Sequence, residues 1–387
     1  MRLGTWLPFE QVPEGLAHFT GVQTSRETAR RLTEGAGAAL VAAETAAVEH
    51  LERTGPPPPV VPAGLHQVSV DGVMVPLVHR EWAEAKTLAI GRVVATAGRD
   101  GAPELHAVDL SYFCRLTEAD TFRRLAWVET HRRGITLAPH TCGLGDGAPW
   151  CQGFYDWHCP DALRILDFGH AAEYVSAAGR SVWGRGTAPL TAWLDQQLQE
   201  LKTGDPEQVL AALRALPPLL VPTADGLGCP RDEALHYLEP RRAQIQYAQF
   251  QAAGYPIGSG AVESANKLVV AARLKGSGMH WARPNVNPML ALRSAACSNR
   301  WATAWTDLCA EQRRQRGAQR AQRCATKGGV APPAPVLAPP APPPLPARRT
   351  VARLSLGRMK HGRPTADHPW RKPFLRRRPH EPAPAES

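Results

Sequence analysis

Among its eight cysteines the chain has no C-x-x-C pair, which removes the common zinc-ribbon and thioredoxin-type spacings. Thiols dispersed in this way are expected to be reduced. Cys142, Cys151, His158, Cys159 and His170 do crowd one region, but their spacings fit no familiar finger, so zinc there is an alternative and not the expectation. No stretch approaches the roughly 18 to 20 consecutive apolar residues of a membrane span. The opening MRLGTWLPFE also lacks a basic-then-apolar signal pattern. A cytoplasmic protein with no membrane partner is therefore expected. There is no G-x-S-x-G elbow and no convincing Cys-His pairing, which argues against serine or cysteine nucleophile chemistry. Acid is scarce around YPIGSGAVESANK, where Glu263 stands three residues beyond a Gly-Ser-Gly turn. An acid there complements the positive end of a helix, and Ser259 is placed to cap it. Whether Glu263 does more depends on carboxylates elsewhere in the chain.

What the chain does have is length and apolar content: 387 residues, 43% of them hydrophobic, enough for two or three domains with a sizeable core. The formal charge of +10 is unevenly placed. Residues 301–387 carry 17 Lys and Arg against 5 Asp and Glu, so the first 300 residues are close to neutral. Such a tail suits a polyanionic partner, with a merely solvated basic run as the alternative.

Residues 8–34 read as a helix, a break at 21–23 and a second helix whose Thr24 and Glu27 have capping-box spacing. The second helix would present Arg26, Arg30 and Arg31, as a recognition helix entering a DNA groove does, although two helices at a corner are also an ordinary packing unit. A long alanine-rich helix follows to about Arg53. The region 1–54 is thus expected to be a helix-turn-helix-like module, ended by a proline-rich linker at 55–64. Alternation then takes over. HQVSVDGVMVPLV, with Val68, Val70, Val73 and Val75 as apolar positions, TLAIGRVVATA and ELHAVDLSYFC predict an antiparallel meander. TEADTFRRLAWVETHRRG predicts a helix, TLAPHTCGLGD a fourth strand, APWCQGFYDWHC a short helix and ALRILDFG a fifth strand. The fold class is α/β, a mixed sheet flanked by helices. A helical insertion is expected at about 176–253, followed by a helix over 261–275. Residues 331–346 hold nine prolines in sixteen positions, and 325–387 is expected to be a Pro-rich, then basic, disordered tail.

Two aspartates stand beside glycines at strand positions, Asp71 in VSVDGV and Asp146 in LGDGAPW. Asp-Gly is also a common turn pair. Three carboxylates brought together would repel one another unless a divalent cation neutralised them, and an all-oxygen donor set suits magnesium, with manganese as substitute. Asp71, Asp146 and Glu263 are accordingly the candidate metal ligands and catalytic residues. Two ions held there would activate an attacking oxygen and stabilise a leaving one in an in-line phosphoryl transfer. Lys267, one turn beyond Glu263, is placed to touch phosphate. Arg273, Lys275, Trp281 and Arg283 are candidates for backbone or stacking contacts with DNA.

The blocks VSVDGVMV, EWAEAK, SYFCRLTEADTF, GDGAPW, RILDFGHAAEY and YPIGSGAVESANKLVVAARLKGSGMHW together resemble the DDE transposases of bacterial insertion sequences, in the Kra-type group related to Mutator-like elements. The resemblance spans about residues 1–305. It implies a ribonuclease-H-like catalytic domain over 65–305 with a helical insertion before the last acid. Asp71, Asp146 and Glu263 fall at the matching positions, 75 and 117 residues apart. Asp167 and His170 match an acid-x-x-His element that assists the site in relatives, with a packed or capping histidine as the alternative. Family members usually have more chain before the segment resembling RLGTWLPFE, which implies either an N-terminally truncated copy or a misassigned start. The implied function is metal-dependent cleavage and strand transfer on the terminal inverted repeats and target DNA of an insertion sequence, by a homo-oligomer assembled on double-stranded DNA and associated with the nucleoid. The competing expectations are a non-catalytic DNA-binding protein and a stand-alone nuclease.

Overall fold

The computed structural model describes residues 1–56, 61–97, 103–223, 226–326 and a short antiparallel pair, Met359–Lys360 with Arg363–Pro364. Residues Met1–Gln322 form one compact unit, and the remainder of the chain forms a second. The expected proline-rich segment at 331–346 and most of the basic end lie outside the described residues, as do 57–60 of the linker.

Helices α1 (Arg2–Trp6) and α2 (Gln11–Thr20) open the chain, and Gly21, in the left-handed conformation, ends α2. The next helix, α3, runs unbroken over Arg26–Thr54, so the second helix of the expected corner and the alanine-rich helix are one element. Its cap is Ser25, whose hydroxyl accepts from the Thr28 amide, and not Thr24. Three strands follow: β1 (Leu65–Pro76), β2 (Trp82–Ala97) and β3 (Pro103–Arg115). Then come α4 (Ala119–Arg132), β4 (His140–Gly145), α5 (Pro149–His158), β5 (Leu163–Leu166) and α6 (Phe168–Trp183). The sheet order is β3-β2-β1-β4-β5, antiparallel across the first three strands and parallel from β1 to β4 and β5.

Strand β1 is central and both its faces are covered, so its apolar residues do not keep to one face. Val68 and Val70 pack with Phe113, Phe122, Phe154 and Val48 of α3. Beyond Asp71 and Gly72 the apolar positions switch parity, and Val73 and Val75 meet a second cluster on the opposite face. A strand's side chains alternate between faces, so Asp71 shares the face of Val73 and Val75. That face carries the helix bearing Glu263.

The insertion consists of α7 (Ala188–Thr203), α8 (Pro206–Ala215), a hairpin at Val221–Gly228, α9 (Pro230–Leu238), a 3-10 segment Glu239–Gln244 and α10 (Tyr247–Ala252). It shares one apolar cluster with β4, β5 and α6, in which Leu144, Ile165, Val175, Leu210, Leu238 and Tyr247 are buried. The chain then returns as α11 (Gly260–Ala265), a π-helical segment Asn266–Ala271 and α12 (Ala272–Leu274). Helices α13 (Arg283–Cys297) and α14 (Trp301–Thr326) complete the described fold. The N-terminal helices pack within this unit. Ala36, Ala39 and Leu40 of α3 meet Ala291, Leu292 and Ala295 of α13. Gly37 permits that approach, since a Cβ there would lie 2.2 Å from the Pro288 carbonyl oxygen.

Candidate active site

The pairing of β1 with β4 fixes the geometry of the two aspartates. Leu65 pairs with His140 and Val68 with Gly143. The same offset, continued past the hydrogen-bonded stretch, brings Asp71 and Asp146 level on adjacent parallel strands. The strands stay close there, because a Cβ on Gly145 would lie 3.3 Å from the Val70 carbonyl oxygen. Asp71 is half-buried, and its Oδ1 accepts from the Gly72 amide at 2.7 Å. Its Oδ2 accepts from Asn266 Nδ2, also at 2.7 Å. Asn266 follows Glu263 by three residues, on the same helical stretch. Burial raises the pKa of Asp71; the Gly72 amide opposes this, the negative charges of Asp146 and Glu263 add to it, and His170 opposes it.

Asp146 stands just past the end of β4. Its Oδ1 accepts from the Ala148 amide at 2.9 Å and from the Cys151 thiol at 3.3 Å. Burial, together with that carboxylate, keeps the thiol strongly protonated. Glu263 is exposed, with Lys267 Nζ 3.9 Å away. The Gly-Ser-Gly turn before it is held differently from the simple expectation. The Ser259 side chain does not cap α11. Its backbone amide donates to Asp167 Oδ2, while Asp167 Oδ1 accepts from the His170 amide and caps α6. Asp167 is 4% exposed. It thus ties the turn leading to Glu263 to the end of β5, and the Phe168 amide, donating to the Ile257 carbonyl at 2.9 Å, repeats the tie. His170 is half-buried, and its Nδ1 lies 3.7 Å from Glu173.

Among the described residues, no three His, Cys, Asp or Glu side chains stand close enough to form a metal cage. Each carboxylate of the trio leans on a protein partner instead. The chemistry of the donor set still fits a hard divalent cation. It consists of three carboxylates plus Asn266 Oδ1, a buried oxygen beside Asp71 with no hydrogen-bond partner. The zinc alternative fits poorly. Both His158 nitrogens are engaged, Nδ1 with the Thr130 hydroxyl at 2.9 Å and Nε2 with the Arg123 carbonyl at 2.9 Å.

Sequence reading missed several groups around the trio. Glu84 and Lys86 pair at 2.7 Å on β2 opposite Gly72, where a Cβ would collide with Glu84. Their block, EWAEAK, gave a resemblance but no role. Asn266, Tyr237 and Arg241 gave no signal at all, because their partners are 195, 91 and 94 residues away in sequence.

The DNA-contact candidates divide by exposure. Arg26 is exposed and pairs with Glu10 at 3.1 Å across the α2–α3 corner. Arg30 is held by Glu27 and Glu34, and Arg31 is exposed. Lys267, Lys275 and Arg283 are exposed as well. Arg273 and Trp281 are not: they are 2% and 7% exposed, which corrects the expectation that they touch DNA. The Arg273 guanidinium lies over the rings of Phe9 and Trp281 and donates to the Gly4 carbonyl at 3.2 Å. The Trp281 indole donates to the Leu274 carbonyl, and its backbone bonds with Pro76 and Val78 tie this loop to the end of β1. No helix is long and apolar enough to cross a membrane among the described residues. No protein-family model matches the chain, and no curated protein matches it either.

Proposed function

We propose that the chain is a DDE transposase that cleaves and joins DNA at a magnesium site held by Asp71, Asp146 and Glu263, with manganese able to substitute. The observation that carries this reading is the register of β1 and β4, which aligns the two aspartates, together with the Asn266–Asp71 hydrogen bond, which anchors the Glu263 helix to Asp71.

Asn266 and the Gly72 amide orient Asp71, while the Ala148 amide and the Cys151 thiol orient Asp146. Glu263 sits in the first turn of α11, where the helix dipole favours a carboxylate. Magnesium, when bound, neutralises the clustered charge and polarises phosphate oxygens. His170, which opposes the rise in the Asp71 pKa, is assigned to support the negative charge there. Exposed Lys267, Lys275, Arg283 and Arg31 supply charge for the DNA backbone. The partner in this reading is double-stranded DNA, the ends of the element and its target, engaged by a homo-oligomer in the nucleoid.

The test is nicking and joining of supercoiled DNA carrying the element with its ends. Asp71→Asn, Asp146→Asn and Glu263→Gln should each bind DNA like the parent and give neither nicked nor joined product. Nicking without joined product in the parent would indicate a nuclease, and binding without nicking would indicate a DNA-binding protein. Equal activity in Glu263→Gln and the parent would reject the site.

A further inference from the structure

The loop that carries Asp146 is gripped from a distant part of the chain. The Tyr237 hydroxyl, at the end of α9, donates to the backbone carbonyl of Asp146 itself. One turn later Arg241 Nη2 donates to the Gly147 carbonyl at 2.9 Å, and its Nη1 returns to the Tyr237 carbonyl at 2.7 Å. The two side chains support each other, since the Arg241 guanidinium lies 4.2 Å from the centre of the Tyr237 ring. On its other side Tyr237 stacks on Tyr174 of α6, with ring centres 3.9 Å apart and planes inclined by 15°. Gly147 is shaped to this grip. Its φ is +75°, and a Cβ there would stand 2.6 Å from Arg241 Nε. Both carbonyls of the turn are thus claimed by the insertion, while the carboxylate of Asp146 is held by Ala148 and Cys151.

We propose that Tyr237 and Arg241 are positioning residues through which the helical insertion fixes the Asp146–Gly147 turn and so sets the height of Asp146 against Asp71. The insertion is then part of the site's construction and not only a neighbouring lobe. Any partner that shifts α9 acts on Asp146 through two hydrogen bonds. This inference rests on the metal-site reading given above.

The decisive variant is Tyr237→Phe, which removes one hydroxyl and keeps the stacked ring. On the full chain, Mn2+ affinity measured by electron paramagnetic resonance should weaken roughly tenfold, the lower end of what loss of a group supporting a metal ligand costs. Amide hydrogen exchange at Gly147 and Ala148 should quicken while the melting temperature stays near that of the parent. Arg241→Lys should fall between parent and Tyr237→Phe, because a point charge cannot make both bonds. An exposed insertion variant such as Gln199→Ala should match the parent throughout. Tyr237→Phe with parental Mn2+ affinity overturns the proposal, whether or not exchange quickens. The two readings fail separately: no Mn2+ binding by the parent, or parental binding in Glu263→Gln, strikes the metal site, whereas loss in Glu263→Gln with none in Tyr237→Phe strikes only the clamp.

Discussion

Two ends of one helical stretch, residues 260–274, put their polar groups to opposite uses. At the first end Glu263 and Lys267 are exposed and Asn266 reaches Asp71. At the second end Arg273 is turned inward, against the rings of Phe9 and Trp281, and forms no ion pair with a carboxylate among the described residues. The π-helical turn Asn266–Ala271 starts at the first end and runs toward the second, a distortion often found at functional sites. Arg293 of α13, itself 1% exposed, donates to the Leu268, Val269 and Thr5 carbonyls of this region and lies over the Trp6 ring. In this protein, then, a basic residue on or beside this helical stretch can be a buried structural part. Burial separates the two roles, and charge alone does not.

That contrast can be broken most severely at Arg293. Arg293→Ala removes three hydrogen bonds from a buried guanidinium to backbone carbonyls, each worth about 1.5–3 kcal/mol for a charged donor, so urea unfolding should show a loss of at least ~3 kcal/mol. A loss below ~1 kcal/mol would mean that the π turn does not depend on it.

A second test concerns a buried histidine. His158 is buried with both nitrogens engaged, and burial depresses its pKa to about 3. The folded state keeps it neutral while the unfolded chain protonates it near pH 6.5. Its contribution is therefore complete above about pH 6.5 and is lost as the pH falls toward about 3, at ~1.4 kcal/mol per pH unit while the difference of one proton lasts. His158→Gln should flatten that limb of the stability profile, and an unchanged limb would assign it to other groups.

At the outward-turned residues the expected effects are smaller. Lys275→Ala and Arg283→Ala should change stability by less than ~0.5 kcal/mol, while each lowers the salt dependence of DNA binding by about one phosphate contact. Salt slopes equal to the parent's would remove both from the interface. The mildest effect on the fold is at Asp71. Burial and the neighbouring acids raise its pKa, so without metal its ionised form opposes folding, and stability falls as the pH rises through that range. Asp71→Asn should be slightly more stable than the parent without divalent ions, and should lose the stabilisation that Mg2+ gives the parent.

Much of the fold was legible because alternation and helical periodicity are local signals. The three-strand meander, the strands ending near Asp146 and Leu166, and the long insertion all occur where the pattern places them. The alternation in HQVSVDGVMV hid one fact: its apolar positions change face at Asp71, which makes sense only once both faces of β1 are known to be covered. The acids were legible from resemblance and from their glycine neighbours. Their supports were not, since Asn266, Tyr237 and Arg241 act across turns that no local spacing announces. Arg273 and Trp281 misled for a related reason: a basic or aromatic residue near a helix end looks alike in sequence whether it faces solvent or Phe9.

The claim under all of this is that three carboxylates serve one magnesium-binding pocket. Mn2+ titration of the parent and of Asp71→Asn, Asp146→Asn and Glu263→Gln, one variant at a time, tests it most directly. The account predicts that every one of the three substitutions weakens binding at the same site. Parental affinity in any one of them would contradict it.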